Sequence, residues 1–231
     1  MSNLESSKDK ILKALNEKAC LKKKTYELTK SVFKDFKEVI HTISKELTED
    51  VKKMDTSLEI EYKDKSEYEI ELKFAGDTLI FSMHTNVFAF DDSHEIHRSE
   101  YVKNNPLNIY CGMIQVYNFL SDSLRYSRLQ DVGYMVGRIF INKDKHFFVE
   151  GERQLGFLYN DFDNAKINKV YIRAIIETAI LYCIDFDLLA QPFKEVREKS
   201  VLQKLSESGA QSSKTGKRVG FKFESERQLP S

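Results

Sequence analysis

Residues 28–54, LTKSVFKDFKEVIHTISKELTEDVKKM, contain the clearest folding signal in the chain. Their apolar side chains recur at steps of three or four residues, which places them on one face of an α-helix. The positions concerned are Val32, Phe36, Val39, Ile40, Ile43, Leu47, Val51 and Met54. The stretch therefore predicts an amphipathic helix with one face that must be covered.

The helical region extends back toward the N-terminus. Neither Pro nor Gly interrupts the chain between about Ser7 and Met54, so one long helix and two abutting helices both fit. A single helix of roughly 45 residues would extend about 65 Å, which exceeds the width of a compact domain of this size. We therefore expect part of it to project from the body or to pair with another chain.

The periodicity of the sequence changes after Ser57. Apolar and charged residues alternate over 58–63 and over 67–74, and a third alternation covers 79–83. Alternation with a period of two is typical of half-buried β-strands, and the polar segments between the three runs supply turns. These residues predict a three-stranded antiparallel meander.

A helix, more strands and a final helix are predicted beyond the meander. Asn105 and Pro106 are typical of a helix start, and an apolar stripe with helical spacing continues from there to Leu124. Residues 133–141 and 147–149 have strand composition, and 155–159 is a further strand candidate. Residues 164–189 favour a long helix that ends before Pro192, and 193–205 a shorter charged one.

These elements together predict an α+β fold. It consists of a long N-terminal helix, an antiparallel meander sheet of five to six strands, and a central helix and a long C-terminal helix packed on the sheet. We divide the chain into an N-terminal helical segment at 1–54, an α+β core domain at 55–205 and a flexible basic and aromatic tail at 206–231.

Composition restricts the function classes. The 36 basic residues balance the 36 acidic ones, so no overall charge attracts nucleic acid or an anionic membrane. Three widely spaced cysteines and the absence of an apolar leader near Met1 favour a reducing cytoplasm. Four charged residues within the apolar stretch 170–189 favour a core helix over a membrane span. No glycine-rich phosphate loop or nucleophile motif occurs, and we predict no cofactor.

One segment holds several potential metal ligands. They are His84, Asp91, Asp92, His94 and His97. Imidazole nitrogens and carboxylate oxygens suit zinc, manganese or iron, so a metal-dependent enzyme centred on 84–97 is one hypothesis. The spacing does not match that of an HExxH site, and a solvated acidic loop fits equally.

Two basic patches support a nucleic-acid hypothesis. They comprise Lys22, Lys23 and Lys24 in the first helical region, and Lys217, Arg218 and Lys222 in the tail. Phe221 and Phe223 lie among the tail cations, and such a mixture suits phosphates together with stacked bases.

The leading hypothesis is a non-catalytic cytoplasmic binding or adaptor protein that forms a homodimer and holds a protein partner. An apolar helix face longer than the body it must cover favours such contacts. The candidate partner-binding residues on that face are Val32, Phe36, Ile43 and Leu47. In the tail they are Val219, Phe221 and Phe223, which alternate as they would in a strand added to a sheet edge.

Overall fold

A computed structural model of the protein describes residues 6–186, 190 and 192–202. The first element of the described residues is helical and continues from Ser7 to Met54. It consists of α1 (Ser7–Ala14), a π-helical turn (Leu15–Ala19) and α2 (Cys20–Met54). Ser6 caps the start, because its hydroxyl accepts a hydrogen bond from the Asp9 amide at 3.2 Å and the Asp9 carboxylate accepts one in return. The predicted long N-terminal helix is confirmed.

Within the described residues, six strands follow and form one antiparallel sheet in which each strand pairs with the next along the chain. They are β1 (Ile60–Ser66), β2 (Glu69–Phe74), β3 (Asp77–Met83), β4 (Cys111–Leu120), β5 (Tyr134–Asn142) and β6 (Phe147–Gly151). The predictions of an α+β fold and of an antiparallel meander sheet of five to six strands are therefore confirmed.

The predicted central helix is wrong, because most of that segment is strand β4. Pro106 begins only a short 3₁₀ turn, which Asn105 caps by accepting a hydrogen bond from the Leu107 amide at 3.0 Å. Cys111 to Ile114 are all buried, which shows that both faces of β4 are covered. A strand buried on both faces has no polar alternation, and its apolar residues fell by chance at helical spacing.

The strand expected at 155–159 is also wrong. Gln154–Leu158 form a short helix, α5, in which Leu155 is buried while Phe157 is 64% exposed. Between β4 and β5 lies another short helix, α4 (Ser121–Arg125), and α3 (Glu100–Asn104) precedes β4. Alternating apolar residues over so few positions do not distinguish a strand from a single helical turn.

The last long helix, α6, spans Lys169–Ile184. Asn168 caps it, since its side-chain oxygen accepts hydrogen bonds from the amides of Val170 and Tyr171. The helix begins five residues later than predicted, and 187–189 lie outside the described residues. Phe193–Val196 form the short helix α7, whereas 203–205 of the predicted charged helix are outside the described part of the chain.

Helices α2 and α6 share the main core with one face of the sheet. The buried members of α2 include Phe33, Phe36 and Ile40, and α6 contributes Ile172, Ile176 and Ile180. The ring centroid of Phe36 lies 6.2 Å from that of Phe81 on β3. Because α2 and the sheet bury the same core, the sequence boundary at residue 54 does not separate two cores.

The opposite face of the sheet carries a second, smaller core. Residues 88–109 cover it, and its buried side chains include Ile96, Val102, Met113, Phe140, Phe148 and Phe162. Phe140 and Phe148 stack at 5.0 Å with an interplanar angle of 21°. This aromatic layer fixes the positions of the loops above it, which include the histidine-containing segment.

Candidate functional site

The first part of the helix extends beyond the body, and we call residues 7–24 the projecting segment. Every residue in it is exposed except Leu21, which is half-buried. At 1.5 Å per residue its 18 residues extend about 27 Å. Ile11, Leu12 and Leu15 are 60%, 53% and 54% exposed. Three adjacent aliphatic side chains on an exposed helix form a surface on which another molecule can pack.

Two threonines mark the point where the helix meets the body. Thr25 and Thr29 are completely buried, and each hydroxyl donates to a carbonyl one turn earlier, at 3.0 Å to Leu21 and 2.8 Å to Thr25. These bonds satisfy the buried hydroxyls without a partner from the sheet. The helix can therefore lie directly on β4, where Gly112 faces Thr29.

The projecting segment is strongly basic. Its seven lysines are Lys8, Lys10, Lys13, Lys18, Lys22, Lys23 and Lys24, whereas Asp9 and Glu17 are its acidic residues. Lys22 lies near the body, with its Nζ 5.3 Å from the centroid of the Tyr110 ring. The predicted nucleic-acid patch at Lys22, Lys23 and Lys24 is thus the base of a longer cationic surface, and Lys23 and Lys24 are exposed on it.

The structure places the predicted partner-binding residues of α2 inside the protein. Val32, Phe36 and Ile43 are at most 2% exposed, and Leu47 is half-buried against the same core. The sheet and α6 cover this face, so Val32, Phe36 and Ile43 pack in the protein's own core. The tail candidates lie outside the described residues. They are Lys217, Arg218, Val219, Phe221, Lys222 and Phe223.

The proposed metal ligands each make separate local contacts. His84 accepts the Asn86 amide at 3.0 Å through Nδ1, and its ring meets Phe88 edge to face at 4.8 Å. Asp91 accepts the Ser93 amide at 2.9 Å. A hydrogen bond from the Ser93 hydroxyl lowers the pKa of Asp91, which keeps that carboxyl charged.

The other two histidines of the cluster are held in different ways. His97 Nε2 lies 3.4 Å from the Phe90 carbonyl oxygen, whereas His94 Nδ1 accepts the Ile96 amide at 3.2 Å. Asp92 is exposed. Within the described residues, no three His, Cys, Asp or Glu side chains are grouped so that they could hold a metal ion.

His94 belongs to a chain of polar contacts that the sequence did not reveal. Because Nδ1 accepts an amide hydrogen, Nε2 carries the proton and donates to Glu150 Oε1 at 3.1 Å. The other oxygen of Glu150 accepts from Arg138 Nε at 2.6 Å. Both oxygens of Glu150 and both nitrogens of His94 are therefore hydrogen-bonded, which ties the loop at His94 to strands β5 and β6.

Comparison with known proteins yields no relative: no family model, no curated protein and no solved structure matches the chain. Among the helices that the structure describes, none is both long and apolar enough to cross a membrane. The site must therefore be interpreted from its own chemistry.

Proposed function

We propose that the protein is a non-catalytic binding protein that holds an acidic protein partner along the projecting segment. The observation that carries this proposal is the exposure of Ile11, Leu12 and Leu15 on a helix that also bears seven lysines. An amphipathic helix of this type suits a groove with an apolar floor and acidic walls. Burying each aliphatic side chain contributes about 1.5–3 kcal/mol.

The charge of the segment argues for a different chain as the partner. Seven lysines against two acidic residues leave a surplus of five positive charges. Two copies packed along this segment would bring like charges together, which opposes the homodimer expected from the sequence. Nucleic acid would neutralise the lysines but would leave the three aliphatic side chains without an apolar partner.

Two further observations are consistent with a cytoplasmic, non-catalytic protein. Cys20, Cys111 and Cys183 are free cysteines, which suits a reducing compartment. Within the described residues, no three His, Cys, Asp or Glu side chains are grouped so that they could hold a metal ion, which fits a proposal of binding without metal chemistry.

The test begins with a photo-cross-linking residue in place of Leu12, used in the cytoplasm of the source cell. The captured protein is then identified and purified, and its affinity for the full chain is measured by calorimetry. We expect the double variant Ile11→Ser/Leu15→Ser to bind at least tenfold more weakly, since 1.4 kcal/mol corresponds to a factor of ten. Rising salt should weaken binding further, because it screens the lysines.

A matched control is Leu181→Ser, which changes a side chain on α6 that is 59% exposed. It should bind the partner as the wild type does. Equal affinity of the Ile11→Ser/Leu15→Ser variant would overturn the proposal. Tight binding of the protein to a 30-nucleotide single-stranded or double-stranded nucleic acid at low salt would also overturn it. The same holds if light scattering shows that the wild type is a dimer and that the Ile11→Ser/Leu15→Ser variant is a monomer.

A further inference from the structure

A cleft of about 660 Å³ lies on the face of the sheet opposite α2. Its walls come from three parts of the chain, namely the 3₁₀ turn Glu95–Arg98 with its neighbours, strand β6 and the loop that follows α5. Small-molecule sites typically have volumes of about 300–1,000 Å³. The cleft is therefore large enough for a compact metabolite, and it is separate from the projecting segment.

The floor of the cleft is aromatic and already ordered. Phe148 and Phe162 both line it, and they are 7% and 4% exposed. Their ring centroids are 5.5 Å apart with an interplanar angle of 89°, and Phe148 also stacks on Phe140. Rings fixed in this way need little reordering when an apolar group contacts the small part of each ring that is exposed.

One wall presents a fixed negative charge. Asp163 Oδ1 accepts the Ser99 hydroxyl at 2.5 Å and the Tyr101 amide at 2.9 Å. The Ser99 hydrogen bond is the main cause of a lowered pKa for Asp163, so this carboxyl is ionised at neutral pH. Within the described residues its second oxygen, Oδ2, makes no hydrogen bond. That oxygen remains available to a ligand.

The same wall carries a positive charge that is equally available. Arg98 lines the cleft and is exposed, and it precedes Ser99, the residue bonded to Asp163. It forms no hydrogen bond or ion pair with the part of the chain that the structure describes. By contrast, Arg138 is engaged with Glu150 at 2.6 Å. A free guanidinium binds a carboxylate well, since it can donate two parallel hydrogen bonds.

From these contacts we infer that the cleft binds a small zwitterion of the α-amino-acid type. Arg98 takes the ligand carboxylate, Asp163 Oδ2 takes the ammonium group, and the apolar substituent lies on Phe148 and Phe162. The ligand needs all three parts. An apolar anion leaves Asp163 without a partner, and an apolar amine leaves Arg98 without one.

The experiment is calorimetric titration of the full-length protein with three probes. They are L-phenylalanine, 3-phenylpropionate, which lacks the ammonium group, and phenethylamine, which lacks the carboxylate. We expect saturable binding of L-phenylalanine and at least tenfold weaker binding of the other two. Equal binding of 3-phenylpropionate would indicate an anion site, equal binding of phenethylamine a cation site, and either result contradicts the inference. Failure of L-phenylalanine to bind also contradicts it.

Two variants locate the binding. Arg98→Gln should lower the affinity for L-phenylalanine at least tenfold, whereas Arg125→Gln, which changes an arginine outside the cleft, should not alter it. Asp163→Asn keeps an acceptor for the Ser99 hydroxyl but removes the negative charge. It should weaken the binding of L-phenylalanine more than the binding of 3-phenylpropionate. If a thermal melt shows that Asp163→Asn is unstable, the affinity of Arg98→Gln for L-phenylalanine alone tests whether the ligand binds in the cleft. Unchanged affinity in Arg98→Gln overturns the inference.

Discussion

Gly112 on β4 lies so close to Thr29 on α2 that a methyl group at Gly112 would be 2.1 Å from Thr29 Oγ1. The same methyl would be 2.8 Å from Thr29 Cβ, and Thr29 is completely buried. The helix therefore crosses the sheet at a point where one strand residue must lack a side chain. This contact lies one helical turn from Thr25, the buried residue that directly follows the projecting segment.

The first prediction concerns this contact. Gly112→Ala should destabilise the fold by about 1–3 kcal/mol, because the extra methyl forces the helix away from the sheet. The measurement is urea unfolding followed by circular dichroism. Adding Thr29→Ala should restore part of the loss, since it removes the closest atom. Gly76→Ala is the control, because a side chain there meets nothing within 4 Å, and it should unfold like the wild type.

Substitutions in the N-terminal helix should lower stability strongly after Thr25 and hardly at all before it. Phe36→Ala should cost about 3–5 kcal/mol of unfolding free energy, because Phe36 is completely buried and packs on Phe81. Leu12→Ser should change it by no more than about 0.5 kcal/mol, since Leu12 is exposed. Chemical unfolding of both variants tests this. A large loss in Leu12→Ser would mean that the segment packs on the body.

The cysteines should differ sharply in reactivity. Cys20 is exposed, whereas Cys111 and Cys183 are buried, and burial raises the pKa of the Cys111 thiol. The native protein should therefore react rapidly with one equivalent of Ellman's reagent, and the unfolded protein with three. Cys20→Ser should abolish the rapid phase. Two rapid equivalents in the native wild type would contradict the structure.

Asp163 should make stability depend on pH in the acid range. Its pKa is lowered in the folded protein, so its contribution is fully present above the unfolded value of about 3.9. That contribution is lost as the pH falls through the lower, folded value. The free energy of unfolding of the wild type should therefore approach that of Asp163→Asn as the pH is lowered from 6 to 2.

Urea titrations at several pH values provide the measurement. Asp92→Asn is a suitable comparison, because Asp92 is an exposed carboxyl in a loop and makes no hydrogen bond within the described residues. A difference between wild type and Asp163→Asn that stays constant with pH would show that the charge of Asp163 does not stabilise the fold.

Local periodicity was sufficient to predict the long helix and the first three strands, because in each of these elements one face packs on the main core and the other is less buried. It failed at β4, where helices cover one side and an aromatic layer the other, so that no polar alternation remains. The apolar face of α2 was expected to contact a partner, whereas Val32 and Phe36 pack in the protein's own core. Nothing local in Val32 or Phe36 distinguishes burial against the chain's own sheet from burial against another chain.

Local sequence patterns could not predict the cleft, for a different reason. His94 and Glu150 are 56 residues apart, and Ser99 and Asp163 are 64 apart, so only the strand order brings them together. The sequence did show that the segment around His94 is rich in histidine and acidic residues. The partners of His94 and the aromatic floor beneath it could not be found without the topology of the sheet.

The lysines of the projecting segment also give the molecule a permanent electric dipole. The five surplus positive charges at 7–24 adjoin a body that is acidic, since residues 25–186 carry 27 acidic and 20 basic side chains. A neutral molecule of this kind rotates in the field of a charged neighbour before the two touch, and it presents its cationic end first. Encounter rates should thus fall steeply with ionic strength even though the chain has no net charge.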